Sequence, residues 1–182
     1  MSRRYLVVLS LLVWIACVWL TAGAPIPRVQ KDPGGPGRDQ ASHLRQGIAC
    51  FEQGFYEFLP KNKRAEAEMS FVAAMRELEL VLETEPDNGQ AHRTIARIHS
   101  IRRNHLAAAE HYQRLTEIDP YDVDSYVLAA LALTEAGKFA EAGIELEKAK
   151  GRTSDPRALA LLGGYLEKLS EAGKRPDAGA GK

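Results

Sequence analysis

Between Ala74 and Pro120 the chain repeats itself. Ala74, Leu78, Val81, Glu85 and Pro86 recur as Ala108, Tyr112, Leu115, Asp119 and Pro120, each 34 residues on. A fixed period of this size, with small and large apolar side chains in constant order, marks a supersecondary unit that stacks on copies of itself. A lone unit leaves an apolar face in water, so about three are needed for a stable core. The period restricts the fold to an all-α solenoid.

Each repeated segment needs a partner helix with its own apolar stripe. His92, Ile95, Ala96 and His99 supply the i, i+3, i+4, i+7 spacing in one unit; Tyr126, Ala129, Ala130 and Leu133 supply it in the next. Short polar turns follow, at Arg102–His105 and at Gly137-Lys138. Ala96, Ala108, Ala130 and Ala142 fall where two helices cross and only small side chains permit close approach. Tyr112 and Leu146 fill the space between adjacent hairpins.

The first unit pairs Leu44, Gly47, Ile48 and Phe51 with Ala74, Leu78, Val81 and Pro86. An insertion at Gly54–Pro60 makes it about fourteen residues too long for the period. After the third unit, Leu162, Tyr165, Leu166 and Leu169 repeat the helical spacing and predict a capping helix.

Tyr126, Ala129-Ala130, Leu133, Ala142 and Leu146, with Ala149 following in a smaller slot, resemble the tetratricopeptide repeat, as do His92, Ile95-Ala96, His99, Ala108, Tyr112 and Pro120. The likeness is close over 64–150 and looser over 41–63 and 157–174. It implies a right-handed solenoid of about three helix-turn-helix units: 41–88 with an insertion near 54–63, 89–122 and 123–156, capped by a helix at 157–174. The repeat core would comprise Leu44, Ile48, Phe51, Ala74, Leu78, Ile95, Ala96, Ala108, Tyr112, Pro120, Tyr126, Ala130, Ala142 and Leu146. The first helices of such units line a concave groove. One step round from the core stripe, Arg45, Ala49 and Glu52, then Arg93, Arg97 and Ile101, then Asp124, Val127 and Leu131 would face it. The resemblance implies a protein or peptide partner held there. Arg93 and Arg97, one turn apart, suit a carboxylate. Some members of the family hold C-terminal carboxylates with basic residues and asparagines, and the asparagines are lacking here.

Lys+Arg and Asp+Glu both number 24, which argues against a nucleic-acid binder dependent on counterion release. The chain shows no nucleophile–base pair and no Gly-rich phosphate loop, so we expect no enzyme, cofactor, metal or small-molecule substrate. His92, His99, His105 and His111 fall within twenty residues. They read as core or surface residues, with a metal- or cofactor-binding protein as the alternative of another class. Cys50 reads as a small buried hydrophobe. Phe55, Tyr56, Phe58 and Leu59 either extend the first helix and cover the open end of the stack or, beside Lys61, Lys63 and Arg64, dock on a partner or an anionic membrane.

Ser2-Arg3-Arg4 precedes twenty uncharged residues, Tyr5–Ala24, so 1–24 reads as a signal anchor or signal peptide. Its length and the Pro25 after Ala22-Gly23-Ala24 favour a retained single-pass anchor. Residues 25–40, with four prolines and three glycines, read as an extended linker, and 175–182 as a disordered tail. The whole reads as an exported scaffold or adaptor at a bacterial inner membrane, facing the periplasm. The alternatives are a soluble secreted or periplasmic form and a chaperone-like factor assembling a membrane or cytochrome complex.

If the period marks stacked hairpins, Ala108→Leu costs ~1–3 kcal/mol by overpacking and Tyr112→Ala ~3–5 kcal/mol by leaving a cavity. Thermal unfolding of both variants indistinguishable from wild type would remove the repeat assignment.

Overall fold

The computed structural model describes residues 36–173 as seven helices in sequence, with no strand among the described residues. They are α1 (Pro36–Glu52), which runs on through a π-helical segment (Gln53–Phe58), α2 (Arg64–Thr84), α3 (Gly89–Ile101), α4 (His105–Ile118), α5 (Val123–Glu135), α6 (Phe139–Lys150) and α7 (Pro156–Gly173). Each helix packs on the next, and α1 also touches α3, so the first helices of the first two hairpins are neighbours. No described helix is long and apolar enough to cross a membrane. The Tyr5–Ala24 run, most of the linker and the 175–182 tail lie outside the described residues.

The period persists in the backbone. Glu85 N–H donates to Val81 O at 2.8 Å and, 34 residues on, Asp119 N–H donates to Leu115 O at 2.9 Å. The turns within hairpins also match: Asn104 N–H reaches His99 O at 2.9 Å, and Lys138 N–H reaches Leu133 O at 2.8 Å. Each turn contains one left-handed residue, Gly137 at φ 76° and Arg103 at φ 60°. Glycine adopts that conformation freely, whereas Arg103 does so against its own Cβ.

Ala96, Ala108, Ala130 and Ala142 are all at most 2% exposed. They belong to a continuous core with Tyr112, Tyr126, Leu133, Leu146 and, from α7, Leu162. Leu78, Val81, Ala91 and Ile95 join α2 to α3, with half-buried Leu44 against them. Phe51, Ala67, Phe71, Ala74 and Ile98 form a further cluster, on which half-buried Cys50 packs. Burial first, and then the Glu77 charge, push the Cys50 thiol up from its ordinary pKa. Ile48 and Pro120 are half-buried rather than core.

Two sequence expectations need correction. The linker does not extend to Gln40, because α1 begins at Pro36. Proline is well placed in the first turn of a helix, where its missing N–H would have had no partner. The extra fourteen residues of the first unit do extend its first helix, but they are not confined to the Gly54–Pro60 stretch. They lengthen both arms of its hairpin. Helix α2 starts ten residues before Ala74, whereas α4 starts three before Ala108, which accounts for seven of them. The π-helical segment and a longer turn take up the remainder.

The lengthened arms can pack because glycines lie between them. A Cβ built on Gly47 would sit 2.6 Å from Cγ of Leu78, and one on Gly54 would sit 2.7 Å from Cε1 of Phe71. The glycines are seven apart on α1 and its extension, and their partners are seven apart on α2, as two antiparallel helices in register require. The lengthened start of α2 rests on the second unit through Arg102, whose guanidinium pairs with Glu68 at 2.7 Å. Gly54→Ala should therefore destabilise by ~1–3 kcal/mol. The same change at Gly164, where an added Cβ meets nothing, should stabilise by up to ~1 kcal/mol through helix propensity. Denaturant unfolding of the pair, read as opposite shifts in midpoint, checks both.

Candidate functional site

Helices α1, α3 and α5 are the first members of successive pairs, α7 holds the next such position, and their outward residues form the candidate binding face. Arg45 is exposed, its Nε–H donating to Ala41 O at 3.0 Å. Arg93 is already engaged: its Nη2 lies 2.8 Å from Asp122 Oδ2, which also accepts from the Ser125 hydroxyl at 2.6 Å. Burial raises the Asp122 carboxyl, but the Ser125 and Arg93 hydrogen bonds and the Arg93 charge together hold it below its ordinary pKa. Arg93 thus ties α3 to the start of α5. The carboxylate it meets in this structure is one of the chain's own.

Arg97 is placed differently. Its guanidinium lies 4.7 Å from the centre of the Phe51 ring and 5.6 Å from that of Phe55. Stacking on aromatic faces restrains a cation without neutralising it. Among the described residues no carboxylate pairs with Arg97. Phe55 also meets Tyr56 edge-on at 4.9 Å, and Tyr56 is exposed. The aromatic cluster of the first unit is therefore divided, with Phe51 in the core, Phe55 half-buried under Arg97 and Tyr56 in solvent. Ile101 leaves the groove set, because it packs against the Phe51–Phe71 cluster.

At the other end, Val127 and Leu131 of α5 do come together, on one side of an apolar pocket of about 220 Å³. Tyr165, Lys168, Leu169 and Ala172 of α7 close the opposite side, with Leu146 of α6 also lining it. Asp124 is exposed and takes no part in the pocket. From sequence, Tyr165 belongs only to the stripe of a capping helix, and Lys168 carries no signal of its own. A further signal for Tyr165 lies in the period, since the 34-residue step that carries Arg97 to Leu131 carries Leu131 to Tyr165.

The fold is tetratricopeptide-like. That assignment rests on this chain's own period, turns and buried alanines. No protein-family model matches the sequence, and no curated protein matches it. One solved structure that is similar is the first TPR of Spaghetti (RPAP3), bound to the HSP90 peptide SRMEEVD. It is 15% identical, the match covering 71% of this chain and 94% of that one at a TM-score of 0.49.

Three of the four clustered histidines also meet. His92 Nε2 is 2.8 Å from Pro86 O and its Nδ1 is 2.9 Å from His111 Nδ1; the His99 ring stacks on His111 at 5.8 Å. A carbonyl only accepts, so a neutral His92 carries its proton on Nε2. His111 then donates from Nδ1, leaving its own Nε2 bare. With both His92 nitrogens committed, the set does not suit a metal, and among the described residues no group of three His, Cys, Asp or Glu is placed to hold one. His105, at the first position of α4, is only half-buried.

Burial, then His92 and His99, lower the His111 pKa from 6.5 to about 4. Burial and then Arg102 lower that of His99, against opposing pulls from Glu79 and Glu110. A histidine with a depressed folded pKa lets protons favour the unfolded chain. Its contribution to stability is complete above about pH 6.5 and is lost as pH falls towards 4. The melting temperature should drop across that window, and His111→Gln should flatten the drop. A wild-type profile already flat from pH 7 to 4.5 would refute this.

Proposed function

We propose that the chain is a protein-interaction scaffold that holds a partner peptide or helix along the first-helix face of a right-handed solenoid. The observation that carries this is the make-up of that face: one end presents Arg97, set on Phe51 and Phe55 and without a carboxylate partner among the described residues, and the other an apolar pocket. Cations without partners and open apolar surface on one face are features that a polypeptide ligand covers. The partner recorded for the similar structure is likewise a peptide, and it belongs to that protein. The proposal includes location. Ser2-Arg3-Arg4 and the uncharged Tyr5–Ala24 run support export with 1–24 as an anchor, which keeps the scaffold beside a membrane.

A photo-crosslinking residue placed at Leu131 or Arg45 in the full-length chain should capture a discrete partner in the native cell. The same residue at Ile144, which is exposed on a second helix, should not. Arg97→Ala should weaken capture at Arg45 roughly tenfold, the scale of one charge-assisted contact. Equal capture from both faces would rule the groove out as the binding surface.

A further inference from the structure

The pocket between α5, α6 and α7 carries the reading further and names the partner's chemistry, on the premise that the groove binds a polypeptide. We propose that it receives one bulky apolar side chain, of phenylalanine or leucine size, from a peptide whose neighbouring residue is acidic and meets Lys168.

Volume comes first. At about 220 Å³ the pocket falls below the roughly 300–1,000 Å³ of sites that enclose a small-molecule ligand. It exceeds the roughly 150 Å³ of an apolar cavity that takes up a benzene ring. One ring or one branched aliphatic group fits. A metabolite does not, and a lipid chain would need a longer channel.

The walls give the chemistry. Val127, Leu131, Leu146 and Leu169 are apolar, and the Thr134 hydroxyl already donates to Ala130 O at 2.8 Å. Apart from the Tyr165 hydroxyl and the Lys168 ammonium, the lining offers no free donor that calls for a polar group inside. Leu131 is 48% exposed and Tyr165 43%, so large apolar surface faces water on both sides of the opening.

Lys168 is the only charged residue of the lining, and among the described residues no carboxylate pairs with it. A lone ammonium at the edge of an apolar pocket attracts an acidic neighbour and repels a basic one. Arg97, at the other end of the face and likewise without a carboxylate partner among the described residues, has the same sign.

The test uses the full-length chain and fluorescently labelled seven-residue peptides with Phe, Leu or Ala at the centre, flanked by Glu or by Gln. Phe- and Leu-centred peptides flanked by Glu should bind, and Ala at the centre should lose roughly tenfold or more, the scale of one buried apolar side chain. Exchanging Glu for Gln should weaken binding to wild type and make no difference to Lys168→Ala. Ala172→Phe, which fills the pocket from the last turns of α7, should abolish the preference for a bulky centre while leaving the helical circular dichroism unchanged. Affinity indifferent to the central residue, or no binding by any of these peptides, overturns the pocket assignment. Partner capture from Leu131 or Arg45 would still stand in that event, which separates failure of the pocket from failure of the groove. Peptide affinity that rises when residues 1–35 are removed would identify the chain's own apolar segment as the occupant and overturn a separate partner.

Discussion

Every helix crossing in the second and third hairpins is closed by a side chain no larger than a methyl group. Ala96, Ala108, Ala130 and Ala142 bring backbones to a distance at which Tyr112, Tyr126 and Leu146 can reach across and pack. The large residues supply most of the apolar area removed from water, but they can do so only because the small ones set the spacing. The first hairpin goes further and uses glycine. Gly47 and Gly54 leave room for Leu78 and Phe71, side chains that would otherwise hold the two helices apart.

That first hairpin is the feature particular to this chain. Its two arms grow together in antiparallel register, so the additional length is buried in a cluster of its own instead of hanging free. The same cluster holds Phe51 and supports Phe55, the rings beneath Arg97. Lengthening the hairpin and positioning a cation on the proposed binding face are thus one structural event. On the other side of α3 the histidines fill the space between helices with polar rings, at the expense of stability in acid.

Much of the architecture was legible in the sequence because a period constrains everything that follows from it. The alanines, the turns and the closing positions recur at a fixed step, and a step can be read without coordinates. What a step cannot give is the partner of a long side chain. Arg93 and Arg97 look equivalent on a helix, one turn apart, yet one meets Asp122 across the next junction and the other meets two rings. The extension is only half legible for a similar reason: a continued first helix can be read from the aromatic segment, but extra length shared with its partner looks, in one dimension, like an insertion between them. Tyr165 is legible as part of the capping stripe and Lys168 not at all, because a stripe shows which residues share a helix face and not what pocket that face completes.

The seven helices are not held equally. Helix α7 has a single fully buried residue, Leu162, and no helix follows it in the described range. In a linear stack each unit leans only on its neighbours, so the end with least burial opens first and most often. The wall that completes the apolar pocket is therefore also the part of the fold that comes away most readily. Capture of a partner there would clamp the last helix shut, and release would need no more than that helix lifting from the rest.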